Sequence, residues 1–525
     1  MTTLTKKVGI ASLIMMGSVL LSRVIGLIRE MFIASFGGAG GAVDAYQVAF
    51  VIPEILNHII ASGFLSVTFI PIFSHYLARD REDEGWEVFS VILTTFGILL
   101  IAFILVSFMI APALVELIAP GLKNASVKAR AVRMTRIIIP AQFFFFAGGL
   151  LMAVQFAKER FAIPALAPLI YNVGIIGGGI ILGPWLGMEG FSWGVLSGAF
   201  AGNFLVQFWG AKRAGMKFHV KFALGHPDLK KYVLLTLPLM VGLTMTFSTE
   251  IFMKFFGSYL PEGRIAALNY GLRVMLVLVG LFGQAAGVAS FPFLANLIAQ
   301  NKRKEMNHLL NDTLRRYISL VIPFSVLLMV LRHEIILLLF QRGQFDAAAT
   351  EMTSGILVFL LVGAFAFAAQ SVVVRGFYAS QNTIFPAAFG TIAVIVSIPL
   401  YWYGMRTMGA KGVGLAISIS AIFQATLLYM LWNRRSNNKG SRSVYLFFAK
   451  IIFLSIPIGI FLEWFRGNVL HAIDASTFTG CLVIAAITGA LFMALFISAG
   501  YFLRIKEIFE GMNRLVEKVI RVFRR

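Results

Sequence analysis

The sequence predicts an all-α polytopic membrane protein, and three observations carry that reading. Of its 525 residues, 59% are hydrophobic and only 13% are charged, with a mean hydropathy of +0.85, whereas soluble domains hold about 25% charged residues. Apolar stretches recur at about 20 residues, the length that crosses a bilayer as a helix, without the alternation of a ~10-residue barrel strand. The Lys and Arg residues also gather on alternate loops, as topology signals do. This composition excludes a water-soluble enzyme, a disordered chain and a nucleic-acid-binding domain, despite a net charge of +21. The single Cys481 excludes a disulfide framework and a Cys-based metal site.

A window of about 19 residues gives about fourteen candidate spans: 8–36, 42–75, 88–113, 137–157, 164–182, 189–209, 232–256, 265–299, 317–340, 353–374, 386–403, 412–432, 449–465 and 478–502. The first follows Lys6 and Lys7 as a signal peptide would. It lacks a small-residue cleavage site and stays apolar through Phe36, so it is expected to remain as a signal-anchor helix. Pro53, Pro140, Pro168, Pro238, Pro323 and Pro386 lie in or at the start of spans, where proline removes a backbone bond and bends the axis. With the N-terminus inside, 30 of the 45 Lys and Arg residues fall on cytoplasmic loops, 11 on outer loops and four within spans. Both termini are therefore expected in the cytoplasm. The outer loop holding Lys123, Lys128, Arg130, Arg133 and Arg136 is the exception.

The basic inner face is expected to attract anionic lipids. The tail 504–525 spaces its apolar residues helically beside a basic face, the pattern of an interfacial amphipathic helix.

Two segments resemble each other. Phe161-Ala-Ile-Pro164 leads a helix, a short loop with Gly190 and a helix opening Trp193-Gly-Val-Leu-Ser197. Thr383-Ile-Phe-Pro386 leads a helix, a loop with Gly409 and Val413-Gly-Leu-Ala-Ile417. Pro164 and Pro386 are 222 residues apart. The chain is accordingly read as an N-lobe of helices 1–6 (1–221) and a C-lobe of helices 7–12 (222–440). An appended pair, helices 13 and 14 (441–503), and the tail (504–525) follow. Parallel repeats around a central cavity are a transporter architecture that rocks to alternate access.

Ionisable groups inside spans are expensive and mark function. In Ser22-Arg23-Val-Ile-Gly26-Leu-Ile-Arg29-Glu30 two guanidiniums sit six residues apart, about 9 Å of rise and about 120° of rotation. Gly26 would permit a local break that aims both at one cavity. Glu30 adjoins Arg29 and would partly neutralise it. Asp44, opening the second span, is either a counter-ion for these arginines or an N-cap. Arg273 lies within the eighth span. Glu250 and Lys254 share a face at i, i+4 and either pair with each other or, for Glu250, hold a coupling cation or proton. Arg23, Arg29 and Arg273 would supply positive charge to one chamber, and arginine binds phosphate oxygens through a bidentate fork.

A pyrophosphate-bearing substrate fits that set; a cationic drug does not. No Walker loop and no metal-ligand spacing appears among the seven His. No catalysis and no cofactor is expected, and a monovalent coupling ion is the one small partner left open. Gly37-Gly-Ala-Gly-Gly41 is expected to be a tight turn, and His58 and His75 packing or interfacial residues.

Ser22-Arg-Val-Ile-Gly-Leu-Ile-Arg29, Phe36-Gly, Asp44-Ala45 and Phe50-Val-Ile-Pro53 resemble the start of the MurJ/MviN family of lipid II flippases. Gly63-Phe-Leu-Ser66, Phe69-Ile-Pro71 and Arg375-Gly-Phe-Tyr-Ala379 extend the likeness. The family belongs to the multidrug/oligosaccharidyl-lipid/polysaccharide exporter superfamily. The resemblance implies fourteen helices in two lobes plus a pair, and outward movement of an undecaprenyl-pyrophosphate-linked peptidoglycan precursor across the bacterial inner membrane. It implies that Arg23, Arg29 and Arg273 are the cavity arginines, that Asp44 is the acid opening the second helix, and that helices 13 and 14 form a groove for the lipid tail. Its implied partners are a lipid-linked glycan and the cell-wall synthesis machinery. The sequence departs from the family pattern at Asn57-His58, where a basic pair is usual, at Ser62, where an acid is usual, and at Leu272 before Arg273. A flippase for another lipid-linked oligosaccharide is the alternative within the class. A cation-coupled multidrug exporter would show acids in the cavity instead.

Overall fold

The structure is a computed structural model describing residues 3–56, 63–241, 244–281, 293–294, 296–298, 300–380, 382, 384–503, 505 and 507. Asn57, His58, Ser62 and nearly all of the predicted amphipathic tail lie outside the described residues. The described secondary structure is helical throughout, and the chain divides into two compact units, residues 1–266 with 342–345 and residues 267–341 with 346–525. Seven helices among the described residues are long and apolar enough to cross a membrane, or eight if the bent pair Ala347–Leu361 and Ala364–Ala379 is one span. Of the other expected spans, 8–36 lies on the 35-residue α1, and those at 42–75 and 232–256 are carried by shorter helices.

In the first unit, α1 (Thr3–Gly37) is one continuous helix. It runs unbroken through Gly26, where the sequence suggested a local break. Gly38 ends it with φ +61, its N–H returning to the Ala34 carbonyl at 2.8 Å, a left-handed cap that starts the tight turn expected at 37–41. The chain continues through α2 (Gly41–Leu56), α3 (Gly63–Leu77), α4 (Glu82–Met109) and α5 (Ala111–Ile118).

The basic cluster expected in an outer loop lies instead on α6 (Ala125–Ile138), a helix capped by Asn124. Val127, Ala131, Met134 and Ile138 bury one face of α6, and two of the cations on the other meet carboxylates. Lys128 pairs with Glu116, Arg133 lies 2.8 Å from Glu189, and Arg136 lies over the Phe108 ring.

α7 (Ala141–Ala157) leads to the hairpin of α8 (Ala167–Leu186) and α9 (Met188–Gly198). Gly174 and Gly178 face Gly198 and Gly194 with no room for a Cβ, so the backbones touch as in small-xxx-small membrane pairs. A π-helical turn, Ala199–Leu205, joins α9 to α10 (Val206–Arg213). Beyond it, the backbone N–H groups of His219, Lys221 and Ala223 donate to Ser90, Thr94 and Thr95 of α4 at 3.2–3.5 Å. Lys217 and Lys221 pair with Asp83 and Glu87, so these cations meet acids along α4. α11 (Pro227–Val241) and α12 (Thr244–Gly257) belong to this unit by contact.

α13 (Arg264–Val279) begins in the first unit and continues into the second. The second unit holds α14 (Arg303–Val330), α15 (Arg332–Phe340), α16 (Ala347–Leu361) and α17 (Ala364–Ala379), the last two bent by 44°. The bend closes on Ser418, whose hydroxyl accepts the Gly363 N–H at 3.0 Å and donates to the Phe359 carbonyl at 2.6 Å. α18 (Ile384–Ser436) is two helices joined at Gly409 (φ 58, ψ −133). α19 (Ser441–Asn468) and α20 (Phe478–Phe502) complete the chain.

The repeat has a backbone signature. Gly187, between α8 and α9, takes φ 57, ψ −134, almost identical to Gly409. The two are 222 residues apart, the same offset as Pro164 and Pro386. The turn glycine equivalent to Gly409 is thus Gly187 rather than Gly190.

Candidate functional site

The arginine-bearing face of α1 meets α8 through a polar network. The Arg29 guanidinium donates to Glu30 Oε1 at 2.6 Å and to Asn172 Oδ1 at 3.1 Å. The Asn172 amide donates to Ser22 Oγ at 3.3 Å and to the Pro168 carbonyl at 2.8 Å. Ser22 and Arg29, seven residues apart, are gathered by a single amide of the neighbouring helix, and Glu30 joins them through Arg29. Gly26 lies between them, and a Cβ there would come within 3.9 Å of Asn172 Oδ1.

Glu30 is 3% exposed. The Arg29–Glu30 pair is therefore buried and net neutral, where the sequence suggested a third positive charge only partly offset. Arg29 can still offer hydrogen-bond donors to an anion. Its Nε–H and the Glu30 Oε2 have no hydrogen-bond partner among the described residues. Arg23, 120° around the helix, is exposed. The two arginines of α1 thus occupy different environments. Asn172 was not singled out in the sequence; a lone amide in an apolar span four residues after Pro168 was the only signal.

Asp44 ion-pairs with neither arginine of α1. Its carboxylate accepts the backbone N–H of Gly263 at 2.5 Å and of Ala266 at 2.8 Å. It caps the start of α13, the helix that carries Arg273, rather than its own helix. Glu250 and Lys254 form an ion pair at 2.7 Å within α12, with Lys254 1% exposed. His75 is exposed and sits edge-on to Tyr76.

In the second unit, Arg273 is half-buried on α13 beside a fully buried Leu272. Asn269 lies one turn earlier on the same face, completely buried, with neither amide atom hydrogen-bonded among the described residues. Arg375 is half-buried on α17, and Gly376 beside it lets the Trp432 ring approach to 3.3 Å of where a Cβ would stand. That contact accounts for Gly376 as a packing requirement. No group of three or more His, Cys, Asp or Glu that could hold a metal ion occurs among the described residues.

The sequence profile of the family described as Lipid II flippase MurJ matches residues 33–501. A Burkholderia cenocepacia protein named lipid II flippase MurJ is 27% identical over 461 residues, covering 86% of this chain and 89% of that protein. A Vibrio cholerae serotype O1 protein named probable lipid II flippase MurJ is 27% identical over 438 residues, covering 81% and 83%. Among solved structures, lipid II flippase MurJ in an inward closed conformation superposes with a TM-score of 0.73 at 24% identity, over 91% of this chain and 97% of that one. An inward-facing multidrug resistance transporter of the MATE family gives 0.67 at 12% identity, over 79% and 94%. The chain shares its fold with these structures, and the family match over most of its length places it in the lipid II flippase MurJ family.

Proposed function

We propose that this chain moves lipid II, a polyprenyl-pyrophosphate-linked cell-wall precursor, from the inner to the outer leaflet of the bacterial cytoplasmic membrane by alternating access. The observation that carries the reading is the family match over residues 33–501. Guanidinium groups in membrane helices add a physical reason. Arg29 presents a fork of N–H donors held by Asn172 and Glu30, and such forks bind phosphate oxygens while staying charged when dehydrated. In this proposal Arg23, Arg29 and Arg273 receive the pyrophosphate, Ser22 and Asn172 orient Arg29, and Asp44 fixes the start of the helix that carries Arg273. Residues 1–221 and 222–440 act as the rocking lobes, and 441–503 accompany the lipid tail. The termini face the cytoplasm, and anionic lipids and the cell-wall synthesis machinery are the partners.

The chain carries no nucleotide-binding loop, so the driving force is the membrane potential or an ion gradient, with Glu250 as the candidate coupling group and no cofactor. The protein is a transporter rather than a catalyst.

Complementation tests the cargo. In a bacterium depleted of its lipid II flippase, this chain should restore cell-wall growth, and the purified protein should carry a polyprenyl-pyrophosphate lipid in its native mass spectrum. Failure to rescue, together with a co-purified lipid-linked glycan of another kind, would assign the alternative cargo. The departures at Asn57-His58 and Leu272 favour that alternative.

A further inference from the structure

One cleft lies in the second unit, and none of the arginines of the proposed pathway lines it. It has a volume of about 580 Å³ and is shallow and widely open at the surface. Its walls come from α14, α16 and α19, and all three present apolar groups, among them Val326, Phe359 and Ile460. α14 and α19 touch at the cleft floor, where Gly459 has no room for a Cβ beside Val326. Ile456 and Ile460 remain 51% and 67% exposed, so the apolar wall is continuous with the outer surface of α19.

The rim is charged and balanced. Arg332 and Lys411 supply two cations, and Glu351 and Glu463 two carboxylates. These charges sit where α14 ends, α16 begins and the Gly409 turn opens the second half of α18. Charges at helix ends above an apolar wall are the arrangement of a lipid headgroup level. Arg332 and Glu463 already satisfy each other through two hydrogen bonds of 3.1 and 3.0 Å. Lys411 and Glu351 do not pair. The Lys411 side chain lies across Gly355, with its ammonium 3.4 Å from where a Cβ would stand. Glu351 is one helical turn from Gly355, with the His333 ring nitrogen 3.8 Å from its carboxylate. Lys411 thus lies against the α16 turn that follows the one carrying Glu351.

We propose that this cleft binds a zwitterionic glycerophospholipid bearing a primary ammonium, phosphatidylethanolamine in class. Its phosphate lies on Lys411 beside Arg332, its ammonium on Glu351, and an acyl chain runs down the wall of Ile456 and Ile460. The rim's zero net charge selects against an anionic headgroup, which would set a phosphate beside two carboxylates with no cation of its own. A quaternary ammonium lacks the N–H donors that a carboxylate rewards. A polyprenyl pyrophosphate has no ammonium at all. None of the headgroup-binding residues belongs to the arginine network, although α19 also lies in the segment proposed to accompany the cargo's lipid tail.

Native mass spectrometry of the purified full chain, titrated with phosphatidylethanolamine or phosphatidylglycerol, tests this. The wild type should retain phosphatidylethanolamine about tenfold more tightly, the value of one charge-assisted hydrogen bond. Lys411→Glu and Glu351→Lys should each abolish that preference. The double exchange, which restores one charge of each sign, should recover it. Both side chains are exposed, so these variants keep the fold. Equal retention of the two lipids by the wild type, or undiminished preference in both single variants, would overturn the proposal.

Discussion

The Asp44 carboxylate accepts the backbone N–H of Gly263, 219 residues away in sequence, and a second bond to Ala266 completes the cap on α13. An N-cap supplied by another helix does the same physical work as a local one: it satisfies donors that the first turn leaves open and opposes the positive end of the helix dipole. Asp44→Ala should therefore lower stability by about 1–3 kcal/mol, because it leaves two buried N–H groups without an acceptor. Asp44→Asn should lose less, since its amide oxygen still accepts. Thermal unfolding followed by intrinsic fluorescence distinguishes the cases. If Asp44 acted as the counter-ion of an arginine, Asn and Ala would be equally harmful.

The Arg29–Glu30 pair makes a second prediction about folding and transport together. Removing Arg29 leaves a 3%-exposed carboxylate with no cation at 2.6 Å, a loss of about 3–5 kcal/mol. Arg29→Ala should thus reduce folded yield, and loss of transport in that variant alone says little about cargo binding. Arg29→Ala with Glu30→Gln removes the stranded charge. It should recover yield, measured by size-exclusion chromatography in detergent, while remaining unable to support cell-wall growth in the depleted strain. Arg23 is exposed, so Arg23→Ala should leave yield unchanged and abolish rescue. Full rescue by both variants would remove the arginines from the mechanism.

Much of this architecture was legible because a bilayer demands long apolar runs, and hydropathy reports them directly. The pairing of Glu250 with Lys254 and of Arg29 with Glu30 was equally legible, since both are set by short spacings on one helix. The helix at 125–138 escaped notice, although Val127, Ala131, Met134 and Ile138 carry the 3–4-residue period of a buried face; a window tuned to continuous apolarity passes over an amphipathic stretch. Asn172 and the Asp44 cap escaped for a different reason. Each bond joins residues more than 140 positions apart, and nothing in a single sequence states which helices become neighbours.

Gly187 and Gly409 allow the repeat itself to be tested. Both occupy the left-handed side of the φ axis with ψ near −133°, a region that a Cβ disfavours. Nothing lies within 4 Å of a Cβ built on Gly187. Gly187→Ala should therefore cost about 1–2 kcal/mol from backbone strain alone, and Gly409→Ala a similar amount. Gly178→Ala should cost more, because its Cβ would meet the Gly194 backbone. Parallel melting curves for the three variants read this order. A Gly187 variant as stable as the wild type would mean that its turn is relaxed, and the matched angles would lose their significance as a repeat signature.

The appended helix α19 is tied to the second unit by an alternating row of charges, and the burial of each charge decides what it contributes. Arg332 binds Glu463, Glu463 binds Arg466 at 3.0 Å, and Arg466 binds Glu334 at 2.9 Å. Glu463 and Arg332 are about a third or more exposed, whereas the Glu334 side chain is 2% exposed. Solvent screens the outer pair, so Arg332→Ala should cost no more than about 1 kcal/mol. Arg466→Ala instead strands the Glu334 carboxylate in an apolar setting, and the loss should reach about 3–5 kcal/mol. Adding Glu334→Gln to Arg466→Ala should return most of that stability, because the second change removes the buried charge rather than restoring the bond. A double-mutant cycle on thermal unfolding measures the coupling. A result in which Arg332→Ala is the more damaging substitution would mean that the exposed pair, not the buried one, holds α19 in place.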